Sequence, residues 1–340
     1  MNTIRVLPED VLIESAPGET LLQASLRSGI AHAHACGGHA RCSTCRVEVS
    51  EGIENCAPRT FAEQQLAQRL GFAPHLRLAC QTIANTDVTM RRLILDDEDV
   101  ALVAPRPGDT AAFTVGQERM LAILFADIRE FTAFSDRLPA HDVVHVLSRY
   151  FHAVGRDVAR FGGRIDNYMG DGLMALFGLG ESEVKDDDSA AFQAVQAGLA
   201  MLDTMDTLKP YLETAYGLSF DMRVGIHFGE AVVGSVGAAG RERVTAIGDA
   251  VNFASRIEGA NKVIGSRLLI SEPLYTRVAQ SIQVGRSLHI PIHGKSGKHA
   301  LYEVVGHAGQ PRKMDAPLIE RDAVDAQPAS PPRRQVPSLS

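Results

Sequence analysis

The sequence predicts two folded units of mixed α+β and α/β class, separated by a connector and followed by a tail. Three observations predict this. The chain has 340 residues and is 45% hydrophobic, enough for two cores. Strand-like runs alternate with stretches of helical periodicity over most of its length. The patterning breaks down twice. At 94–115 the run Asp96-Asp97-Glu98-Asp99 is followed by Pro105, Pro107 and Gly108, and after 306 six prolines lie among Ser, Arg and Asp. The expected divisions are therefore a first unit at 1–93, a solvated linker at 94–115, a second unit at 116–306 and a disordered tail at 307–340.

In the first unit, alternation or β-branched enrichment predicts strands at Thr3–Leu7, Val11–Ser15 and Arg46–Val49. Leu21–Ser28 reads as a short helix with Thr20 as its N-cap. Phe61–Leu70 reads as a second helix, with Thr60 and Glu63 spaced as a capping box. Strands return at Leu76–Thr82 and Val88–Leu93.

In the second unit, Met120–Ala126 is an apolar strand, and Val143–Arg160 has helical periodicity with Val143, Val144, Leu147, Phe151, Val154 and Val158 on one face. Leu173–Phe177 is a strand after a Gly-Asp-Gly turn, and Ser189–Leu208 a long helix. Met222–Phe228 and Glu230–Val236 read as a hairpin. Val251–Gly259 opens another helix, and Arg267–Ile270 and Ala300–Val305 are late strands.

Bulk properties narrow the function. A net charge of −7 gives no electrostatic case for nucleic-acid binding. No apolar run reaches the roughly 18–20 residues that span a bilayer, and no signal-type apolar segment follows Met1. The expected setting is the cytoplasm, with no membrane and no nucleic-acid partner. Five cysteines there suggest a metal site rather than a disulfide framework.

Four of those cysteines are patterned. Cys36, Cys42 and Cys45 lie in CGGHARCSTC, and Cys80 follows in RLACQ. Iron–sulfur clusters are held by four thiolates, and one well-known spacing is C-x4-C-x2-C with a remote fourth Cys. Here the first gap holds five residues. A structural zinc site is the competing reading, but zinc commonly takes two C-x2-4-C knuckles. The five-residue gap, the Gly37-Gly38 turn and the remote Cys80 favour a [2Fe-2S] cluster. The pattern resembles the five-residue-gap class of [2Fe-2S] ferredoxins, and the element order resembles their β-grasp fold. Cys56 stands outside the pattern.

The second unit carries two aspartates in turns beside strands, Asp127 in FADIREFT and Asp171 in YMGDG. Carboxylates at adjacent strand ends suit hard divalent cations, and two such ions clamp the oxygens of a phosphoryl displacement. Asn252 and Arg256 in VNFASR are four apart, so they share one helix face. The ordered blocks FADIREFT, GDGLMALFG, GIHFGEAVVGSVG and IGDAVNFASRIE span about 190 residues and together resemble the class III adenylate/guanylate cyclase catalytic domain.

That resemblance implies a ferredoxin-like (βαββαβ-type) domain in which the 3′-hydroxyl of a nucleoside triphosphate attacks its own α-phosphorus and expels pyrophosphate. It implies Asp127 and Asp171 as ligands of two Mg2+ or Mn2+ ions, with a backbone ligand from Ile128. It implies Asn252 on the ribose, Arg256 on the phosphoryl oxygens and Lys295 on phosphate. It further implies a homodimer with composite sites, because in this family the metal carboxylates and the Asn/Arg pair meet across an interface. Where the family often has Gly, this chain has Glu130.

The purine is read, in this family, at the positions of Asn167 and Thr245. Adenylate cyclases usually have Lys and guanylate cyclases usually Glu at the first. Thr at the second resembles a bicarbonate-responsive adenylate cyclase subgroup. An amide and a hydroxyl each donate and accept, so ATP is favoured on Thr245, with GTP as the alternative. The first unit has nine basic and nine acidic side chains, so it lacks the acidic face by which a diffusible ferredoxin steers partners. The expectation is a cyclase regulated by its cluster, possible partners including a redox protein. The alternatives are an electron-transfer protein with a degenerate cyclase-like module, and a cluster that only holds its own unit together.

Overall fold

A computed structural model describes residues 2–93, 116–180, 187–217, 220–237 and 243–309. The expected linker at 94–115 and residues 310–340 of the expected tail at 307–340 lie outside the described residues, while His307 ends the last strand. No helix among the described residues is long and apolar enough to cross a membrane.

Residues 2–93 form a five-stranded sheet in the order β2-β1-β5-β3-β4, from β1 (Asn2–Leu7), β2 (Val11–Ser15), β3 (Arg46–Glu51), β4 (Leu76–Leu78) and β5 (Val88–Arg92). Only β1 and β5 run parallel. Helix α1 (Leu21–Arg27) begins at the predicted Thr20 with a complete capping box, Gln23 N–H donating to Thr20 Oγ1 and Thr20 N–H to Gln23 Oε1. Helix α2 (Phe61–Leu70) has the predicted bounds and Thr60 cap. Its Glu63 does not close the box. It is fully buried and takes both Nε (2.9 Å) and Nη2 (3.0 Å) of Arg77, plus the Leu78 N–H (2.8 Å). A buried guanidinium needs a bidentate carboxylate more than a solvated amide needs a cap.

The predicted strand to Thr82 stops at Leu78, where Gln81 and Thr82 N–H groups turn back on the Leu78 carbonyl. That turn brings Cys80 toward the 36–45 loop, and Ala79 N–H donates to the Cys45 carbonyl at 3.0 Å.

The second unit is one eight-stranded sheet, ordered β12-β13-β11-β9-β6-β8-β7 with β10 on β9. Its strands are β6 (Gln117–Ile128), β7 (Arg164–Met169), β8 (Gly172–Phe177), β9 (Met222–Val236), β10 (Arg243–Ile247), β11 (Leu268–Ser271), β12 (Ile282–Pro291) and β13 (Lys298–His307). Its helices are α3 (Phe131–Ser135), α4 (Ala140–Arg160), α5 (Asp187–Tyr216), α6 (Asp249–Ile264) and α7 (Glu272–Val278).

Three expectations are corrected here. The hairpin expected within 222–236 is one continuous strand paired along β6 from Met222 to Val233, and the hairpin is β9–β10. Gly229, read as its turn, serves packing instead. A Cβ there would lie 2.6 Å from His227 Nε2 and 3.0 Å from Ala250 Cβ. Val144 is 63% exposed, and α4 buries the expected Val154 and Val158 together with Val146, Tyr150 and Ala153. Helix α5 runs past the expected Leu208 through Pro210 to Tyr216.

Candidate active site and cluster loop

The carboxylate end of the large sheet is made by the last turn of β6 and the tight turn between β7 and β8. Asp127 faces Arg223 across the β6–β9 ladder. Asp171 sits in the turn, and its carboxyl hydrogen-bonds both Asp127 and the Ile128 N–H. Gly172 keeps the turn close, since a Cβ there would approach the Ala126 carbonyl to 3.1 Å and Asp127 Oδ1 to 3.6 Å. Burial, then the neighbouring Asp127, pushes Asp171 up to about 7. Glu258 on α6 is also raised to about 7, chiefly by burial. Arg223 is the cation among them, with Nη2 3.7 Å from Asp127 Oδ2 and Nε 3.5 Å from Glu258 Oε1. Among the described residues the buried Tyr150 hydroxyl has no hydrogen-bond partner, and it feels all three carboxyls. The abutting carboxyls of Asp127 and Asp171, with Arg223 between Asp127 and Glu258, suit divalent cations with oxygen preference. The Ile128 side chain is in the core, so only its backbone reaches this end.

A second group lies around the start of α6. Strand β10 leads through Gly248 directly into α6. Asn252 on its first turns is exposed. Arg256 lies against the β12–β13 turn, where a Cβ on Gly294 would meet its Nη2 at 2.9 Å. The next residue, Lys295, pairs with Asp249 and lies 5.5 Å from the Phe253 ring centroid. Arg164 Nη2 donates to the Val244 carbonyl at 2.9 Å, tying β7 to β10 and bringing Asn167 beside Thr245. Asn167 Oδ1 accepts from Arg243 Nη1 at 2.6 Å, and Thr245 Oγ1 donates to Asp166 Oδ2 at 2.6 Å. No hydrogen bond or ion pair among the described residues joins this second group to Asp127 and Asp171. Glu130 is exposed with φ +57°.

In the first unit the four predicted cysteines converge. Cys36 hydrogen-bonds Cys42, and Cys45 hydrogen-bonds Cys80. No disulfide is formed. Gly37 (φ +69°) and Gly38 (φ +90°) shape the loop, and a Cβ on Gly38 would sit 3.7 Å from that of Cys80. The loop amides turn inward. Cys36 is lowered to about 4, first by Cys42 and then against burial by the N–H groups of Arg41, Cys42 and His39. Cys80 is lowered to about 7 by Cys45, aided by Gln81 and the Ala40 N–H. Among the described residues no three His, Cys, Asp or Glu side chains are gathered at single-ion distance. Two thiol pairs, ringed by amides, fit a two-iron cluster that takes one pair at each iron.

A family model described as the adenylate and guanylate cyclase catalytic domain matches residues 114–306, more than half of the chain. The chain belongs to that family. The N-terminal unit of this cyclase-family chain matches the 2Fe-2S iron-sulfur cluster binding domain over residues 4–85, which supports an iron–sulfur cluster at the cysteine loop. An adenylate cyclase of Anabaena cylindrica is 31% identical over 212 residues, covering 60% of this chain and 40% of that relative. The chain therefore spans less than half of that relative's length. Among solved structures, the adenylyl cyclase CyaB from P. aeruginosa is similar with TM-score 0.52 and 31% identity, covering 58% of this chain and 97% of the other. The guanylyl cyclase Cya2 is similar with TM-score 0.52 and 28% identity, covering 57% and 95%.

Sequence reasoning missed several residues of this candidate site in the cyclase-family unit: Arg223, Glu258 and Tyr150 at the carboxylate end, and Asp166, Arg243 and Asp249 at the other. Asp249 and Glu258 stood in the quoted block IGDAVNFASRIE. Arg223, Asp166 and Arg243 left no local signal, because strand pairing across long separations sets their contacts, and Tyr150 reaches this end from the buried face of α4.

Proposed function

We propose that this chain is an adenylate cyclase, converting ATP to 3′,5′-cyclic AMP and pyrophosphate in composite sites of a cytoplasmic homodimer. The observation that carries this is the abutting pair Asp127 and Asp171 at the strand ends of a cyclase-family domain. The O3′–Pα bond forms, the Pα–O bond to the β-phosphate breaks, and the hydroxyl proton leaves to Asp127 or water. Two Mg2+ or Mn2+ ions, when bound, would supply positive charge to the hydroxyl and the triphosphate. Asp127, Asp171 and the Ile128 backbone would hold them.

The chain's other residues bind and orient. Asn252 holds the ribose, and Arg256 neutralises charge growing on the phosphoryl oxygens. Lys295 exchanges its exposed partner Asp249 for phosphate. Asn167 and Thr245 contact the purine. Because Asp127 and Asp171 form one group and these residues another, a full site needs both groups brought together by a second subunit. Tyr168, Met169, Val232, Val236 and Ile247 are large apolar side chains left exposed on β7, β9 and β10, surface that a partner would cover.

Cys36, Cys42, Cys45 and Cys80 hold the [2Fe-2S] cluster, whose change of charge on reduction sets cyclase rate, a local event read out by the dimer arrangement. Five cysteines, four of them cluster ligands in this reading, suit a reducing compartment. The likeness to Cya2 supports GTP as a second reading of the substrate.

Purified protein with Mn2+ or Mg2+ is expected to form cyclic product, lost in Asp127→Ala. No product from either nucleotide sinks the catalytic reading. Anaerobic assays of dithionite-reduced and air-oxidised protein are expected to differ in rate, and equal rates with equal affinities sink the regulatory one.

A further inference from the structure

The purine end is built from four side chains on two strands, and their hydrogen bonds have a direction. Arg243 Nη1 lies 2.6 Å from Asn167 Oδ1. A guanidinium carries five donors and no acceptor, so the amide atom against it is the oxygen. The Asn167 NH2, outside that bond, can act only as a donor. Thr245 Oγ1 lies 2.6 Å from Asp166 Oδ2. A carboxylate accepts, so the single hydroxyl proton points at Asp166 and the lone pairs of Oγ1 remain.

Both partners are set by the fold. The β7–β8 register shifts between Ile165 and Asn167, leaving Asp166 as the extra residue. A bulge of this kind re-aims a side chain, and the Asp166 carboxylate is 1% exposed, with Arg164 Nη2 3.9 Å from its Oδ1. Arg243 is the first residue of β10, two before Thr245 and on the same side of the strand.

We propose that Arg243 and Asp166 are positioning residues that fix Asn167 as a donor and Thr245 as an acceptor, so that the site selects adenine and rejects guanine. The Watson–Crick edge of adenine offers an acceptor at N1 and a donor at its amino group. Guanine offers a donor at N1 and an acceptor at O6. Adenine therefore meets a complementary pair, while guanine sets donor against donor and acceptor against acceptor. The inference rests on the proposed reading of Asn167 and Thr245 as purine contacts. It decides a polarity that neither side chain has on its own.

The test measures kcat/KM for ATP and GTP in direct competition, with full-length wild type and four variants. One oriented pair is worth about tenfold or more in discrimination. Wild type is expected to favour ATP by about a hundredfold or more. Arg243→Lys, still only a donor, should keep that ratio. Arg243→Glu turns the Asn167 amide over and should lower the ratio about tenfold. Asp166→Asn lets Thr245 accept, frees its proton and should do the same. The double variant should favour GTP.

Wild type favouring GTP overturns the proposal, as do variants that lose activity on both nucleotides at a constant ratio. Arg243 is exposed, so its variants remain informative if Asp166→Asn fails to fold. If wild type cyclises neither nucleotide, the catalytic reading alone fails. The same ratios are then read from displacement of a fluorescent anthraniloyl-ATP by ATP and by GTP, where the same changes support the proposal and equal displacement overturns it.

Discussion

The carboxyl groups of Asp127 and Asp171 hydrogen-bond each other at the end of the catalytic sheet, so one of the two must keep its proton while no cation is present. Asp171 is the one raised, to about 7, by burial first and Asp127 second. An acid whose pKa is raised on folding costs stability that grows with pH while the unfolded chain has lost the proton and the folded chain has not, and that persists at higher pH.

The stability difference between Asp171→Asn and wild type should therefore open in the variant's favour as pH rises from about 4 and be complete above about 7. After discounting for partial exposure it should reach about 1–2 kcal/mol. Denaturant unfolding of metal-free protein across this pH range checks it. Comparing the two proteins cancels His227, which is lowered to about 4 by burial and titrates the other way. Mn2+ should stabilise wild type and leave the variant nearly unchanged.

If the site is shared between subunits, two dead proteins should restore each other. Asp127→Ala and Asn252→Ala, mixed in equal amounts and allowed to exchange, should recover about a quarter of wild-type activity, since half the dimers carry one intact site. A mixture as inactive as either parent argues for sites within one subunit.

Glu63 and Arg77 form a buried ion pair with side chains 0% and 4% exposed. Removing one partner strands the other, at about 3–5 kcal/mol. Glu63→Ala should lower the melting point of the N-terminal unit and, by releasing the Leu78 N–H just before Cys80, bleach the cluster absorbance. Glu63→Leu combined with Arg77→Met should cost less than Glu63→Ala alone.

Glu130 holds φ at +57°, a left-handed conformation costing a residue with a Cβ about 1–2 kcal/mol. Glu130→Gly should raise the melting temperature by about 2–4 °C. Taking away a carboxylate three residues from Asp127 should also lower KM for the metal–nucleotide several-fold. An unchanged melting temperature would count against the strain.

The most legible parts of the chain were those governed by neighbours in sequence. Thr20 and Thr60 cap their helices as read, and β2 and α2 match residue for residue. The apolar core strands β6 and β8 were found because both their faces are buried. Strand β7 was not read, since RIDNYM lacks the apolar alternation that marks a half-buried strand, while β10 and β12 were passed over although Ile282, Val284, Leu288 and Ile290 alternate along β12. Gly229 misled because a glycine that admits a helix reads like one that makes a turn. At the site, ordered motif blocks marked Asp127, Asp171, Asn252 and Arg256. The groups that orient or charge-balance them, Arg223, Asp166 and Arg243, belong to strands paired across distant segments.

Strand β9 has a consequence for any pair of sites. Near its start it lies opposite Asp127, and near its end Gly234 lies opposite Thr245. In the proposed dimer those two ends serve different sites, so this one uninterrupted strand acts as the ruler between them. A deletion of a single residue within it would shorten the ruler and turn every following side chain to the opposite face. Substitutions along it are repairable by repacking, whereas changes in its length would put both catalytic centres out of step at once.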